Sequence, residues 1–394
     1  MKSPARPPKK GASAEKGLRG PLFFERFSPL AEDVFLSAVT RLAAGRGLSI
    51  YLVGGMIRNI LLNEALPRDY DFLVEGETAE LAAEAARELG GSAFLLDKEN
   101  GLYRVAIKKA GIIITMDFLP LRFPRVEDDL LQRDFTLNAM ALPLAPLCAD
   151  PPAVTLIDPL GGLIDCDKRA LRLAGEEALR ADPLRSLRAV RLSYRYGLTI
   201  DEKTRELIKK QAPLIEEKSV SIERIRDEIA LIFTAHRTAE AIACLVELDL
   251  LDVAMPPLKS LRGAADLLCK SPVSLKTLKE ADTLHGEIEA GSFCACPAEM
   301  RSYFMDHQTW PSAALSLKLA AFFHDLCLDP EKTGDLPGSS SHSGASSSTA
   351  LLSSLLKEML IGVKTIRAVT GLLRALQRFI GIPAALCARP RVMA

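Results

Sequence analysis

A short apolar run, Ile50 to Val53, stops at the pair Gly54-Gly55, and about one helix later Asp69-Tyr70-Asp71 opens a second apolar run. The first run reads as a buried strand. The two glycines allow a tight turn and a close approach of backbone to an anion. Arg58 then falls one turn into the helix that follows. A helix N-terminus and a guanidinium both favour phosphate, so this corner suits a triphosphate tail. Arg68 to Val74 reads as another strand, whose period of two places Asp69 and Asp71 on one face. Two such carboxylates repel unless cations lie between them, and hard oxygen ligands on one face suit magnesium.

Taken singly, a Gly-Gly turn is punctuation and an Asp-x-Asp is a solvated edge. A third carboxylate makes the constellation more specific. Ile112 to Phe118 is a strongly β-branched strand on which Asp117 shares a face with Thr115 and Ile113. An acidic residue near the end of a buried strand is costly unless it is paired, hydrogen-bonded or bound to metal.

Further motifs follow in order. They are Arg133-Asp134-Phe135-Thr136-Leu137-Asn138-Ala139, then Asp158-Pro159-Leu160-Gly161-Gly162 with Asp165, then Asp182-Pro183-Leu184-Arg185 with Leu187-Arg188-Ala189. Together with Gly54-Gly55-x-x-Arg58 and Asp69-x-Asp71, this series resembles the class II tRNA nucleotidyltransferase and bacterial poly(A) polymerase family over roughly residues 48 to 230. The resemblance implies an α+β fold: a polymerase-beta-like head, a mixed sheet with helices, followed by an all-α neck, body and tail. The expected divisions are a disordered basic tail at 1–22, a catalytic head at 23–175, a helical neck and body at 176–262, and a C-terminal helical region at 263–394.

The resemblance also implies roles. Asp69 and Asp71 would bind magnesium, Asp117 would help to activate a primer 3′-hydroxyl, and Gly54, Gly55 and Arg58 would hold the phosphates. The segment from Asp129 reads as a helix start beneath the site, with Arg133 and Asp134 contacting the incoming nucleotide and Asn138 supporting them. Asp182, Arg185 and Arg188 would complete the nucleotide site. The reaction implied is transfer of CMP and AMP from CTP and ATP to a tRNA 3′ end with release of pyrophosphate. A CC-only or A-only enzyme, a poly(A) polymerase and a non-catalytic RNA-binding relative are the alternatives. Between Phe94 and Lys109 the chain has Gly101-Leu102-Tyr103-Arg104 where many full CCA adders carry a Gly-Thr-bearing flexible loop, which keeps partial addition open.

Base choice follows from donor and acceptor chemistry. Asp182 and Arg185 are three residues apart and read as neighbours on one helix, with Leu187, Val190 and Tyr194 on a buried face. A carboxylate only accepts and a guanidinium only donates, a pair that fits the amino group and ring nitrogen of cytosine or adenine and not uracil or guanine. The family motif usually begins Glu-Asp, and this chain has Ala181-Asp182, which leaves strict discrimination between C and A open.

At 394 residues and 48% apolar content the chain can form two or three cores. Its formal charge is zero, yet eight basic residues face three acidic between Lys168 and Arg195, and seven face one from Leu351 to Ala394, as suits RNA phosphates. Eight scattered cysteines, no membrane-length apolar run and no signal-like apolar core suit a cytoplasmic protein; oligomeric state is not legible. Ser219 to Glu228 reads as a capped helix start, Ala239 to Leu251 and Leu315 to Phe323 as helices, and Gly338 to Thr349 as a linker. Phe323-His324-Asp325, with His342, resembles a degenerate signature of HD-type phosphohydrolases, and packing or RNA binding is the role expected of that region.

Overall fold

The computed structural model describes residues 21–150, 152–217, 220–255, 272–290, 314–322 and most of 352–380. The chain divides into two units, Met1–Ala178 and Leu179–Ala394. The expected basic tail (except Pro21 and Leu22), the HD-like residues His324, Asp325 and His342, and the Ser/Gly-rich stretch lie outside the described residues.

Helices α1 (Pro21–Ala31) and α2 (Val34–Gly45) lead the first unit; Asp33 starts α2 by accepting from the amides of Phe35 and Leu36. Then come β1 (Ser49–Val53), α3 (Gly55–Leu62), β2 (Asp69–Glu75) and α4 (Thr78–Leu89). The hairpin β3 (Ser92–Asp97) and β4 (Leu102–Lys109) is followed by β5 (Ile112–Pro120), α5 (Val126–Leu130), a 3-10 turn at Thr136–Asn138, β6 (Ala141–Pro143), α6 (Leu144–Leu147) and α7 (Gly162–Asp167). The six strands form one mixed sheet in the order β3-β4-β5-β2-β1-β6. Only β2 and β5 run parallel, joined through α4 and the hairpin, as a parallel pair requires a long crossover.

Strand alternation divides the sheet's chemistry. Tyr70, Phe72, Met116 and Phe118 are buried, with the Phe72 and Phe118 rings 5.1 Å apart, and α2 packs on α4 over the sheet. Each fully buried side chain of this size stabilises the fold by about 1.5–3 kcal/mol. The intervening positions of the same strands, Asp69, Asp71, Thr115 and Asp117, therefore share the opposite face. A smaller cluster of Val53, Leu73, Val126, Leu130, Ala139 and Ala141 ties β1 and β2 to α5 and the end of the 3-10 turn.

In the second unit the regular elements among the described residues are helices, apart from a two-residue strand, Thr199–Ile200. Helices α8 (Ala178–Ala181), α9 (Arg185–Tyr196), α10 (Glu202–Gln211), α11 (Leu214–Glu217), α12 (Ile222–Phe233), α13 (Thr238–Glu247) and α14 (Leu251–Ala254) follow in order. Helix α9 packs on α12 and α13 with Leu187, Ala189 and Val190 buried. Ser221 stands at the N-cap of α12 with no side-chain capping bond, so position and extended backbone mark that start, not the hydroxyl. Among the described residues no helix is long and apolar enough to cross a membrane.

Candidate active site

Gly54 links β1 to α3 with φ +76° and ψ −133°, a conformation open essentially to glycine. A Cβ there would stand 3.0 Å from Asp71 Oδ2, so the turn lies flush against the carboxylate. Gly55 begins α3, and a Cβ on it would stand 3.2 Å from Arg58 Nη2. Arg58 is 8% exposed. It donates from Nε and Nη2 to Asn59 Oδ1 and from Nη1 to Asn138 Oδ1 at 2.7 Å. Asn138 Nδ2 in turn donates to Asp134 Oδ1 at 3.0 Å, an oxygen that also accepts the Phe135 amide at 2.8 Å. Three of the expected nucleotide-site residues thus form one hydrogen-bonded chain, with Arg58 aimed by Asn59 and Asn138.

The carboxylates come together through strand register. Asp71 pairs across β2 and β5 with Asp117, and Asp69 with Thr115, whose hydroxyl donates to Asp69 Oδ1. Burial, and then the negative charge of Asp117, push the Asp71 carboxyl up to about 6, while Arg133 and Arg104 pull in the other direction. A carboxylate this averse to its own charge gains from any bound cation. Asp117 has a partner already: Arg104, opposite it on β4, donates Nε to Oδ1 at 2.6 Å and Nη2 to Oδ2 at 2.7 Å. Among the described residues no group of three or more His, Cys, Asp or Glu side chains closes on a metal. Magnesium needs no such cage, since it commonly takes one or two carboxylates and completes its shell with water and substrate phosphate. The acidic row beside the Gly54 turn fits that pattern.

Arg133 does not start a helix. Helix α5 ends at Leu130, and the expected helix start from Asp129 is instead a turn followed by the 3-10 segment. Arg133 Nη2 lies 3.4 Å from Oδ1 of the buried Asp129. Asp134, expected to meet nucleotide, is 7% exposed and is engaged by Phe135 and Asn138. The Asp158 motif braces this turn. Asp158 accepts the amides of Gly162 at 2.7 Å and Leu163 at 3.0 Å, and Asp165 accepts from Thr136 and, at 2.9 Å, from Arg172. Gly162 fits because a Cβ would come within 2.3 Å of the Thr136 carbonyl oxygen.

In the second unit, Asp182 precedes α9 instead of lying on a helix with Arg185. Pro183 follows it, and a residue before proline avoids the helical region. The two remain close, because the Arg185 amide donates to the Asp182 carbonyl at 3.1 Å. The Asp182 carboxylate accepts from Arg224 Nη2 at 2.8 Å. Arg188 and Arg191 donate to the buried Glu228 at 3.3 and 2.6 Å, which fixes α9 against α12. The sequence reading missed Arg104, Asn59 and Arg224. In the sequence Arg104 stands out only as the end of Gly101-Leu102-Tyr103-Arg104, the segment that replaces a Gly-Thr-bearing flexible loop; the strand pairing that aims it at Asp117 carries no local signal.

Residues 50–172 match the model described as "Poly A polymerase head domain", and residues 197–261 match "Probable RNA and SrmB- binding site of polymerase A". The A-adding tRNA nucleotidyltransferase of Deinococcus radiodurans is 33% identical over 277 residues, covering 65% of this chain and 60% of that protein. The CC-adding tRNA nucleotidyltransferase of Thermus thermophilus is 31% identical over 280 residues, covering 70% of this chain and 55% of that protein. The chain therefore spans roughly three fifths or less of the length of these two relatives. A solved structure titled "tRNA-processing enzyme (apo form I)" superposes with a TM-score of 0.61 at 23% identity, covering 91% of this chain and 79% of that one, which is a likeness of fold.

Proposed function

The chain belongs to the class II tRNA nucleotidyltransferase and poly(A) polymerase family, and from that premise we propose that it adds CMP and AMP from CTP and ATP to tRNA 3′ ends without a nucleic-acid template. The observation that carries this reading is the register that sets Asp71 beside Asp117 and Asp69 beside Thr115, on one face next to the Gly54 turn.

Asp69 and Asp71 are the proposed holders of Mg2+, which when bound lowers the pKa of the attacking hydroxyl and neutralises charge on the leaving pyrophosphate. Gly54 and Gly55 let backbone approach the triphosphate, and Arg58, aimed by Asn138, supplies positive charge to it. Asp117 is positioned to take the 3′-hydroxyl proton as that oxygen attacks the α-phosphorus in line. Arg133 faces the acidic row and counters its charge, while Asp134 orients Asn138. Asp182 and Arg185 offer the acceptor and donors that suit cytosine and adenine, with Arg188 next along α9.

A second reading, addition of A alone or of CC alone, is favoured by the tight turn of the β3–β4 hairpin. There Asp97 accepts from the amides of Glu99 and Asn100, in place of a long flexible loop. Both relatives described above also bear names of partial enzymes.

The test is extension of tRNAs ending before CCA, after C and after CC, with labelled CTP and ATP alone and together, beside Asp69→Ala and Asp71→Ala. Completion of all three to CCA supports the proposal. A stop after CC, or addition only to the CC end, identifies a partial enzyme, and long A tails a poly(A) polymerase. Binding of tRNA without incorporation at any magnesium concentration would leave a non-catalytic RNA-binding protein.

A further inference from the structure

One level of the sheet carries Arg104 on β4, Asp117 on β5, Asp71 on β2 and Val53 on β1, each the register partner of the next. Asp71 and Asp117 are like charges on adjacent strands, and the cation of this row is Arg104. Its guanidinium takes both oxygens of Asp117 in a side-on fork, the strongest geometry this pair of groups can adopt. While that fork holds, both Asp117 oxygens are engaged, and the face they turn to Arg104 is closed to a proton or a cation. Asp117 therefore has two incompatible tasks: to pair with Arg104, and to serve the reaction.

We propose that Arg104 is a latch on Asp117, a positioning residue that fills the cation's place in the nucleotide-free head and swings away when metal and nucleotide enter. The inference rests on the metal-dependent reading of the acidic row. The side chain of Arg104 is 34% exposed and that of Asp117 17%, so the arginine is the partner with room to move. Val105 and Ile107, which follow it on the strand's other face, are buried, so β4 itself stays fixed while the Arg104 side chain departs. Together with Arg133, the latch offsets the negative charge of the row before substrate arrives.

The test is Mn2+ binding to the full chain by electron paramagnetic resonance, without nucleotide or RNA. Removing a competing charge-assisted fork in Arg104→Gln is expected to tighten Mn2+ binding about tenfold. Arg104→Lys keeps the charge and loses the fork, so it is expected to move the same way; it also carries the test if the glutamine variant fails to fold. In an Asp117→Asn background the Arg104→Gln effect is expected to vanish. Unchanged or weaker Mn2+ binding in Arg104→Gln would overturn the latch. So would a lysine variant identical to wild type, or an effect that persists without Asp117, since either would mean simple long-range repulsion. Wild-type protein that binds no Mn2+ would overturn the metal reading as well, whereas binding lost in Asp69→Ala but indifferent to Arg104 would overturn the latch alone.

Discussion

Asn138 Oδ1 accepts from Arg58 Nη1 at 2.7 Å across 80 residues of sequence, joining the helix after the glycine turn to the 3-10 segment. Asn138→Ala removes an acceptor from a buried guanidinium. A loss of about 1–3 kcal/mol is expected in urea unfolding. If Arg58 holds phosphate, KM for nucleotide rises more than kcat falls. Equal nucleotide kinetics with reduced stability would restrict the bond to a structural role.

Gly54→Ala places a Cβ against Asp71 Oδ2 on backbone that side chains avoid. The strain is expected to cost about 1–3 kcal/mol. Because the displaced atom belongs to the acidic row, metal-dependent incorporation should fall further than stability does, a comparison made by measuring both on the same preparation.

Asp71 gives a pH signature. Its folded carboxyl, near 6, lies above the ordinary value of 3.8. The protonated form is thus favoured by folding: its contribution is complete below about 3.8 and is lost as pH rises through about 6. Asp71→Asn keeps the neutral form, so the metal-free variant is expected to be more stable than wild type above pH 6, by on the order of 1–3 kcal/mol, with the gap closing towards pH 4. Metal binding works in the opposite sense. It requires ionised Asp71, and Mn2+ affinity should weaken roughly tenfold for each unit below about 6.

Arg224→Met releases the Asp182 carboxylate from an exposed ion pair. Stability is expected to change by less than about 1 kcal/mol. Should Asp182 read the base, the ratio of CTP to ATP incorporation changes although Arg224 lies on another helix; an unaltered ratio would remove Arg224 from base selection.

Glu228→Gln leaves Arg188 and Arg191 facing a neutral group at the buried junction of α9 and α12. Thermal unfolding should show a loss of about 3 kcal/mol or more.

The elements that carry the acidic row were legible because their signals are local. Ile50–Val53, the Gly54 turn and the alternation around Asp69 and Asp117 each state their own geometry. What could not be read was pairing. Arg104 meets Asp117 only because β4 and β5 align at that register, and nothing within Tyr103-Arg104-Val105 encodes its partner. Asp182 was misplaced for a different reason: a helical spacing of three suggested one continuous helix, while Pro183 had already excluded it. Likewise Asp129 to Asn138 begins acidic and turns apolar as a helix start does, yet the Phe135 amide donating to Asp134 and the Thr136 hydroxyl donating to Asp165 hold the chain in a tighter turn.

The sheet order gives the molecule a place to accept change. Strand β3 is an outermost strand, and residues 98–101 turn there between Asp97 and β4, two strands away from β2. That turn joins the two strands at this edge of the sheet, and the pairing that sets Asp71 beside Asp117 does not run through it, so the length of the loop is free to vary without altering the acidic row.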